Sequence, residues 1–352
     1  MKADPPLRIG VVAPPMLPVP PPTYAGTERV VAALVDELVR CGHRVTLFAA
    51  GDSHVAAELV ATRPKSLWSE GYRGDVSSFI NVGLAQAWAQ HERFDVIHSH
   101  VETLGFLFAR HCPTPVVTTL HGRLDVSGIP ELLEEFVDIP LVAISESQRR
   151  WAPDANWVGT IHHGLPLERV PYSTKPGSYL AFVGRITPEK GIADSIAVAR
   201  RVKMPLRIAA KVYDPHEKEH FARVVEPAIS DGTAEFLGEL PAAERDVLYA
   251  GALATLMLGP WPEPFGLVAI ESMATGTPVI GRRAGALTET VEHGVNGFLV
   301  DDLQEAELAV QQVGSLDRAQ VRQCAIERFS FARMTAEYVD VYRALIESRR
   351  SA

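Results

Sequence analysis

Cysteine is scarce in this chain of 352 residues, and its scarcity narrows the classes of protein to consider. Cys41, Cys112 and Cys324 share no CxxC spacing, so we expect reduced thiols and neither a disulfide framework nor a zinc site. No apolar run approaches the roughly 20 residues that a membrane-spanning helix needs. The chain begins Met-Lys-Ala-Asp-Pro-Pro, without the apolar stretch of a signal peptide. These features predict a cytoplasmic protein.

Several nucleotide-binding and metal-binding motifs are also missing. No GxGxxG follows a predicted strand, which argues against a conventional dinucleotide oxidoreductase, and no GxxxxGK[ST] phosphate loop is present. No Asp-x-Asp pair is available to hold a divalent cation beside a diphosphate. We therefore expect no metal and no resident cofactor. The net charge of −9 argues against a nucleic-acid partner, because such partners are held mainly through basic groups.

Short apolar runs alternate with helical patterns along most of the chain. A helix predicted over 27–41 carries a stripe of valine and leucine residues at helical spacing. The predicted strands cover 7–13, 44–49, 94–98, 115–120, 141–145, 179–184, 206–212, 234–237, 254–258 and 278–280. Continuous apolar strands separated by helices indicate parallel sheets that are covered on both faces. The predicted fold class is therefore doubly wound α/β.

The length of the chain suits two domains rather than one. The segment 168–178 contains prolines and a glycine without periodicity, which is typical of a linker. We predict an N-terminal domain over 1–172, a C-terminal domain over 173–331, and a last helix over 332–352 that packs back on the first domain. Ligands of open α/β sheets bind at the carboxyl ends of the strands. Two facing sheets would place the site in the cleft between the domains.

The first candidate site follows the strand at 179–184. The loop Gly184-Arg185-Ile186-Thr187-Pro188-Glu189-Lys190-Gly191 leads into a helix. Arg185 and Lys190 could hold a diphosphate there together with amides at the helix N-terminus. The alternative is that both are solvated surface charges.

The second candidate site is built around two acids eight positions apart, Glu263 and Glu271. Pro264-Phe265-Gly266 precedes a helical pattern, which would leave the amides of Gly266, Leu267 and Val268 available to phosphate oxygens. Glu263 could instead serve as a carboxylate that favours the helix dipole. Glu271 lies on an apolar stripe, and a buried acid without a partner is costly, so a ligand-binding role is favoured for it.

These motifs resemble those of the retaining nucleotide-sugar glycosyltransferases of glycosyltransferase family 4. The resemblance is carried by EPFGLVAIE, ATGTPVI and GALTETVEHGVNGFLV near the C-terminus. It is also carried by Tyr24-Ala25-Gly26-Thr27-Glu28-Arg29-Val30, Leu120-His121-Gly122, AISES and IHHG in the first domain. Many members have two consecutive glycines where this chain has Ala25 and Gly26. The resemblance implies the GT-B fold, two facing Rossmann-like domains with an interdomain cleft.

The resemblance also implies roles for individual residues. Arg185 and Lys190 would bind the donor diphosphate, Glu263 the sugar hydroxyls and Glu271 the ribose hydroxyls, and His121 would lie beside the transferred sugar. The remaining residues implied in donor binding are Gly26, Gly184, Phe265, Gly266, Leu267 and Val268. The predicted catalytic set comprises Arg185, Lys190, Glu263 and His121.

The predicted function is a metal-independent, retaining glycosyltransferase that uses a nucleoside-diphosphate sugar, with UDP favoured over GDP on family frequency. The acceptor could be a sugar, a lipid-linked sugar or a small metabolite, and no strong membrane signal is present. Two alternatives use the same architecture. One is a nucleotide-sugar epimerase, and the other is a nucleotide-sugar-binding protein without catalysis.

Overall fold

The computed structural model describes residues 5–23 and 25–351, which form two compact units. The first unit runs through Leu165 and also includes the chain from Phe331 onward, and the second comprises Pro166–Ser330. The boundary predicted at residue 172 therefore lies slightly beyond the one in the structure. Among the described residues, no helix is both long and apolar enough to cross a membrane.

The first unit contains a seven-stranded parallel sheet with the strand order β3-β2-β1-β4-β5-β6-β7. Its strands are β1 (Arg8–Val12), β2 (Arg44–Ala50), β3 (Glu58–Arg63), β4 (Val96–Ser99), β5 (Val116–Thr119), β6 (Leu141–Ala143) and β7 (Trp157–Thr160). Its first five helices are α1 (Gly26–Arg40), α2 (Ser77–Trp88), α3 (Phe106–His111), α4 (Ile129–Glu135) and α5 (Glu146–Arg149). The order reverses between β1 and β4, so the carboxyl ends of these strands mark the switch point of this sheet.

The second unit contains a six-stranded parallel sheet with the strand order β10-β9-β8-β11-β12-β13. Its strands are β8 (Leu180–Arg185), β9 (Leu206–Lys211), β10 (Ala234–Gly238), β11 (Ala254–Met257), β12 (Val279–Arg282) and β13 (Gly297–Val300). Its helices are α6 (Ile192–Val202), α7 (Pro215–His220), α8 (Glu226–Ser230), α9 (Ala242–Ala250), α10 (Leu267–Ala274), α11 (Leu287–Thr290), α12 (Leu303–Gln312) and α13 (Arg318–Phe329). A π-helical turn, Phe221–Val225, joins α7 to α8. The switch point lies between β8 and β11.

The last helix, α14 (Phe331–Ser351), belongs to the first unit and packs against α1. Its buried tyrosines reach the sheet. The hydroxyl of Tyr342 lies 2.7 Å from Nδ1 of His98 on β4, and the hydroxyl of Tyr338 lies 2.9 Å from Oγ1 of Thr119 on β5. The C-terminal helix thus supplies hydrogen-bond partners to buried polar groups of the first sheet.

The predicted doubly wound α/β fold class is confirmed, and each of the ten predicted strands is present within a few residues. Three strands were not predicted: β3, β7 and β13. All three lie at the edge of a sheet. The signals of β3 and β7 are weak because both strands are partly exposed. β13 is buried and as long as several predicted strands, so the structure gives no reason for its omission.

Candidate functional site

In the second unit, two glycines bring together the loops that follow β8 and β11. Gly191 has a φ of 74°, and a Cβ there would lie 2.3 Å from the backbone nitrogen of Gly259. A Cβ on Gly259 would lie 2.1 Å from the carbonyl oxygen of Glu189. Only residues without a side chain permit this approach. The contact therefore brings the two loops of the switch point together.

The loop after β12 reaches the same place. A Cβ on Gly285, whose φ is 59°, would lie 2.5 Å from the backbone nitrogen of Glu263. The amide of Ala286 donates to the carbonyl oxygen of Glu263 at 2.8 Å. The backbone around Glu263 is thus held by a neighbouring loop, which fixes the origin of its side chain at the carboxyl edge of the sheet.

Two predicted site residues from different loops form an ion pair at this edge. Nζ of Lys190 donates to Oε1 of Glu263 at 2.5 Å, and both side chains remain partly exposed. The same ammonium lies 5.6 Å from the ring centroid of Trp261, within the range of a cation–π interaction. Lys190 is therefore a partnered group and not the solvated surface charge of the alternative interpretation.

Arg185, at the end of β8, is also held by acids. Its Nε donates to Oε1 of Glu217 at 2.7 Å, and its Nη2 lies 3.4 Å from Oδ2 of Asp214. Glu217 is buried and also accepts the backbone amide of Tyr213 at 2.6 Å. With Asp214 it forms the capping box of α7, so the partner of Arg185 is itself fixed by a helix N-terminus. The side chain of Arg185 remains 54% exposed, so it is accessible to a ligand.

Residues 216–220, His-Glu-Lys-Glu-His, match the metal-binding pattern HExxH, which the sequence analysis missed. The structure does not assemble a metal site from them. His216 is exposed whereas His220 is buried, and Glu217 is engaged by Arg185 and the helix cap. Within the described residues, no group of three or more His, Cys, Asp or Glu side chains could hold a metal ion.

The helix α10 begins at the predicted position. Gly266 is its N-cap with a φ of 88°, in the left-handed region that favours glycine. Phe265 is buried and its ring centroid lies 5.9 Å from that of Phe329, so its side chain packs in the core. Leu267 and Val268 are buried as well. Any contact of these four residues with a donor would have to be made by backbone groups, as predicted, and that role stays a prediction.

Glu271 is buried, and it has protein partners that the sequence analysis did not identify. It is 3% exposed, its Oε2 lies 3.5 Å from Nε of Arg245, and it accepts the hydroxyl of Tyr249 at 3.2 Å. Arg245 and Tyr249 are four residues apart on α9, so both face the same side of that helix. The acid therefore has a structural role that the sequence analysis missed, and its contact with a ribose stays a prediction.

In the first unit, Gly26 is the first residue of α1 and Ala25 is its N-cap. The φ of Ala25 is −151°, which is extended backbone, so a second glycine is not required at this position. Tyr24, which forms part of the predicted motif, lies outside the described residues. Gly184 lies within β8, where it pairs with Ala210 of β9.

His121 follows β5 and lies between two other histidines. Its Nε2 lies 2.9 Å from Nδ1 of His100, and its Nδ1 lies 3.3 Å from Nε2 of His163. Burial lowers the pKa of His121 to about 3 and holds the pKa values of His100 and His163 well below their usual range. The three rings are therefore neutral at pH 7. A catalytic role for a ring nitrogen of His121 would require one of these hydrogen bonds to break, and the role stays a prediction.

Glu102 contacts the backbone of His121, and the sequence analysis did not single it out. Its Oε1 and Oε2 accept the backbone amide of His121 at 3.0 and 3.3 Å. It lies in a 3₁₀ turn, Glu102–Gly105, three residues beyond β4. One signal in the sequence could have identified it. Glu102 is an acid shortly after a buried strand, and ligands of α/β sheets bind at the carboxyl ends of the strands.

Two family models match the chain. The model described as Glycosyltransferase Family 4 matches residues 24–185, and the model described as Glycosyl transferases group 1 matches residues 169–317. Together they span most of both units. The predicted GT-B class of fold is confirmed by these matches and by the similarity to solved glycosyltransferase structures.

Individual proteins are similar over most of their length. A D-inositol 3-phosphate glycosyltransferase of Thermobispora bispora is 28% identical, with 78% of this chain and 76% of that protein covered. A phosphatidyl-myo-inositol mannosyltransferase of Mycolicibacterium smegmatis is 24% identical, with 96% and 94% covered. The crystal structure of HepE from Anabaena in complex with UDP and glucose matches with a TM-score of 0.73 at 18% identity, covering 96% of this chain and all of that one.

Proposed function

The chain belongs to the family 4-type glycosyltransferases, and from this premise we propose that it transfers a sugar, with retention of configuration, from a nucleoside-diphosphate sugar to an acceptor hydroxyl. The observation that carries the donor half of the proposal is the Lys190–Glu263 contact at 2.5 Å. It unites a cation suited to a diphosphate and an acid suited to sugar hydroxyls at the switch point of the second sheet, where α/β proteins bind ligands.

Each group has a distinct role in the proposed reaction. The bond between the sugar and the β-phosphate breaks, and negative charge grows on the departing diphosphate. Arg185, Lys190 and the amides at the start of α10 stabilise that charge. Glu263 binds hydroxyls of the sugar, and the carboxylate also keeps the ammonium of Lys190 at the position where the phosphate arrives. A donor phosphate oxygen accepts the proton of the acceptor hydroxyl, so no side-chain base is required.

We propose UDP as the nucleotide. Family frequency favours it, and the structurally similar HepE was crystallised with UDP.

For the acceptor, the names of two relatives suggest which compounds to test first. One is named for D-inositol 3-phosphate and the other for phosphatidyl-myo-inositol. Inositol phosphates therefore head the acceptor panel, followed by sugars and lipid-linked sugars.

A panel of nucleoside-diphosphate sugars tests the proposal directly. The protein is incubated with each donor, with and without acceptors, and the products are followed by mass spectrometry and proton NMR. We expect transfer, or slow hydrolysis of one donor, with the anomeric configuration retained. Release of an epimerised donor would replace the proposal by the epimerase alternative. Binding without any turnover would leave a nucleotide-sugar-binding protein.

Calorimetry with the bare nucleoside diphosphate tests which acid contacts which end of the donor. Glu271→Gln should weaken nucleotide binding, because a ribose contact does not depend on the sugar. Glu263→Gln should leave nucleotide affinity almost unchanged and lower the rate with the intact donor. Equal losses of affinity in both variants would contradict the proposed division of roles.

A further inference from the structure

In the first unit, two features of Glu102 are energetically unfavourable: its backbone conformation and the burial of its carboxylate. Its φ is 52°, in the left-handed region that few residues other than glycine adopt. Such a conformation is disfavoured for a residue with a side chain and persists only when the surroundings hold it. Its carboxylate is also removed from much of the solvent, which disfavours the charged form. Costs of this kind are typical of residues retained for function.

What the strained conformation achieves is a clamp on the loop after β5. The carboxylate of Glu102 accepts the amide of His121 and is also hydrogen-bonded by the amide of Gly122. On the carbonyl side, Nε2 of Gln148 donates to the oxygens of Leu120 and Gly122 at 2.9 and 2.8 Å. Two side chains thus hold amides and carbonyls of the same three-residue turn.

The clamp determines where the imidazole of His121 lies. The ring bridges His100 and His163 at 2.9 and 3.3 Å, and these distances depend on the position of the loop backbone. We propose that Glu102 is a positioning residue: through the amides of His121 and Gly122, its carboxylate holds the His121 imidazole in the orientation that sugar transfer requires. This inference rests on the proposed function, because only the family resemblance sets His121 beside the transferred sugar.

The ionisation of Glu102 makes the clamp sensitive to pH. Burial raises the pKa of Glu102 to about 7, and the hydrogen bonds from the amides of His121 and Gly122 act in the opposite direction. The ionised carboxylate can accept both amides. A protonated carboxyl group has one oxygen occupied by a proton, so it holds the two amides less well. Below pH 7 the clamp loosens and His121 loses its orientation.

Few other titratable groups lie on the elements that pack against the turn of Glu102. The turn that carries it packs against α2, β5 and α3. By sequence, α2 and β5 have no ionisable side chain, and α3 has Arg110, which is paired with Glu135 and Asp138, and His111. The nearby rings of His100 and His163 stay neutral because burial lowers their pKa values. We assign the acid limb near pH 7 to Glu102, and its loss in Glu102→Gln is the test of that assignment.

The kinetic test compares the pH profiles of three proteins: the wild type, Glu102→Gln and the control Glu92→Gln. Glu92 is exposed and lies in the turn His91–Arg93. For the wild type, kcat should fall as the pH drops through about 7. At pH 8, Glu102→Gln should lower kcat by about tenfold to a hundredfold, a typical effect of misplacing a reacting group. Its acid limb should disappear and its KM for the donor should stay within about twofold.

The control should reproduce the wild-type profile. If Glu102→Gln instead retained the wild-type kcat, or kept the same acid limb, the positioning role would be overturned. A uniform loss of activity with the acid limb intact would indicate a purely structural role and would overturn it as well.

A second measurement separates this inference from the proposed function. The ring nitrogens of His121 are followed by ¹⁵N NMR between pH 8 and 6, with the signals assigned through His121→Gln. In the wild type they should shift with a midpoint near 7, and in Glu102→Gln they should not. This result would hold even if no donor were turned over, which would refute only the proposed function. Identical His121 titrations in both proteins would refute the clamp.

Discussion

Glu271 illustrates how a residue can be placed correctly and interpreted incompletely. Its position on the helix after Gly266 was predicted, but its neighbours Arg245 and Tyr249 on α9 were not. Arg245 is 2% exposed, so removing its acid would leave a buried charge with one partner fewer. The pair couples the proposed nucleotide site to the stability of the second unit.

We predict that Glu271→Ala will lower the free energy of unfolding by about 3–5 kcal/mol, the usual cost of breaking a buried ion pair from one side. Glu271→Gln should cost less, because its oxygen can still accept hydrogen bonds. The double variant Arg245→Met/Glu271→Leu should recover much of the loss. Urea denaturation measures all three, and a Glu271→Ala protein as stable as the wild type would show that the pair does not form in solution.

At Lys190, the ion pair with Glu263 determines what a substitution of the lysine removes. Because Lys190 is paired with Glu263, removing the lysine also leaves the acid free to repel the diphosphate. We expect Lys190→Ala to lower kcat/KM. The loss of transition-state stabilisation should be about 2–5 kcal/mol, the cost of truncating one partner of such a pair. The double variant with Glu263→Ala should lose less than the sum of the two single losses.

Steady-state kinetics on the two single variants and the double variant yields the coupling energy. Lys175→Ala, at an exposed lysine of the same unit, is the matched control and should keep the wild-type rate. Strict additivity of the two losses would mean that Lys190 and Glu263 act independently in the enzyme.

At the scale of elements, most strands were predictable because a buried parallel strand is a continuous apolar run. Two of the three strands that were not predicted, β3 and β7, are half exposed and lack that run. The meeting of the loops after β8 and β11 was beyond prediction. Gly191 and Gly259 are separated by several helices and strands in the sequence. Nothing in the sequence around a glycine indicates whether another backbone segment packs against it.

Two left-handed glycines of the second unit allow that approach to be tested. Gly191→Ala would introduce a Cβ 2.3 Å from the backbone of Gly259, whereas Gly232, with a φ of 77°, has no atom within 4 Å of that position. We expect Gly232→Ala to cost about 1–2 kcal/mol of stability from backbone conformation alone. Gly191→Ala should cost more and should also weaken nucleoside diphosphate binding, because Lys190 is the adjacent residue.

Thermal unfolding and calorimetry of both variants separate the two effects. Equal losses of stability, with nucleotide affinity unchanged in both, would show that the loop contact does not position Lys190.

At the scale of the molecule, a cluster of four histidines in the first unit makes stability depend on pH. Burial lowers the pKa values of His98, His100, His121 and His163, so these rings stay neutral in the folded state. In the unfolded chain they take up protons as the pH falls below about 6.5. Stability is therefore lost as the pH drops through that value.

The titration of Glu102 changes the stability of the fold in the opposite direction. Its pKa is about 7 in the folded state, whereas the ordinary pKa of a glutamate side chain is 4.5. Between these two values the folded state binds the extra proton and gains stability as the pH falls. Four histidines outweigh one glutamate, and we predict a net loss of stability between about pH 7 and 5. In Glu102→Gln the loss should be steeper by about 1.4 kcal/mol per pH unit.

Denaturant unfolding at about pH 5, 6 and 7.5 measures both slopes. A stability that does not change over this range would mean that the histidines are accessible to protons in the folded state, and equal slopes in the two proteins would mean that Glu102 titrates normally.

The whole enzyme should also turn over without added metal. Arg185, Lys190 and the start of α10 supply fixed positive charge at the proposed diphosphate site, which is the role a divalent cation has in many other enzymes. We predict that millimolar EDTA leaves the transfer rate within about twofold, well below the change of ~1.4 kcal/mol that marks a tenfold effect. A loss of activity in EDTA that magnesium or manganese restores would show that these groups do not suffice.

The sequence by itself determined the alternation of buried strands and helices, because burial leaves a local periodic pattern that each segment carries alone. It therefore predicted two parallel α/β sheets and the loops at their strand ends that carry Arg185, Lys190 and Glu263. Only the tertiary structure decided which charges meet. Lys190 and Glu263 are 73 positions apart, and Arg185 and Glu217 are 32 apart. Such pairs depend on which strands are neighbours in the sheet and on how closely two backbones approach, and neither leaves a periodic trace in the chain.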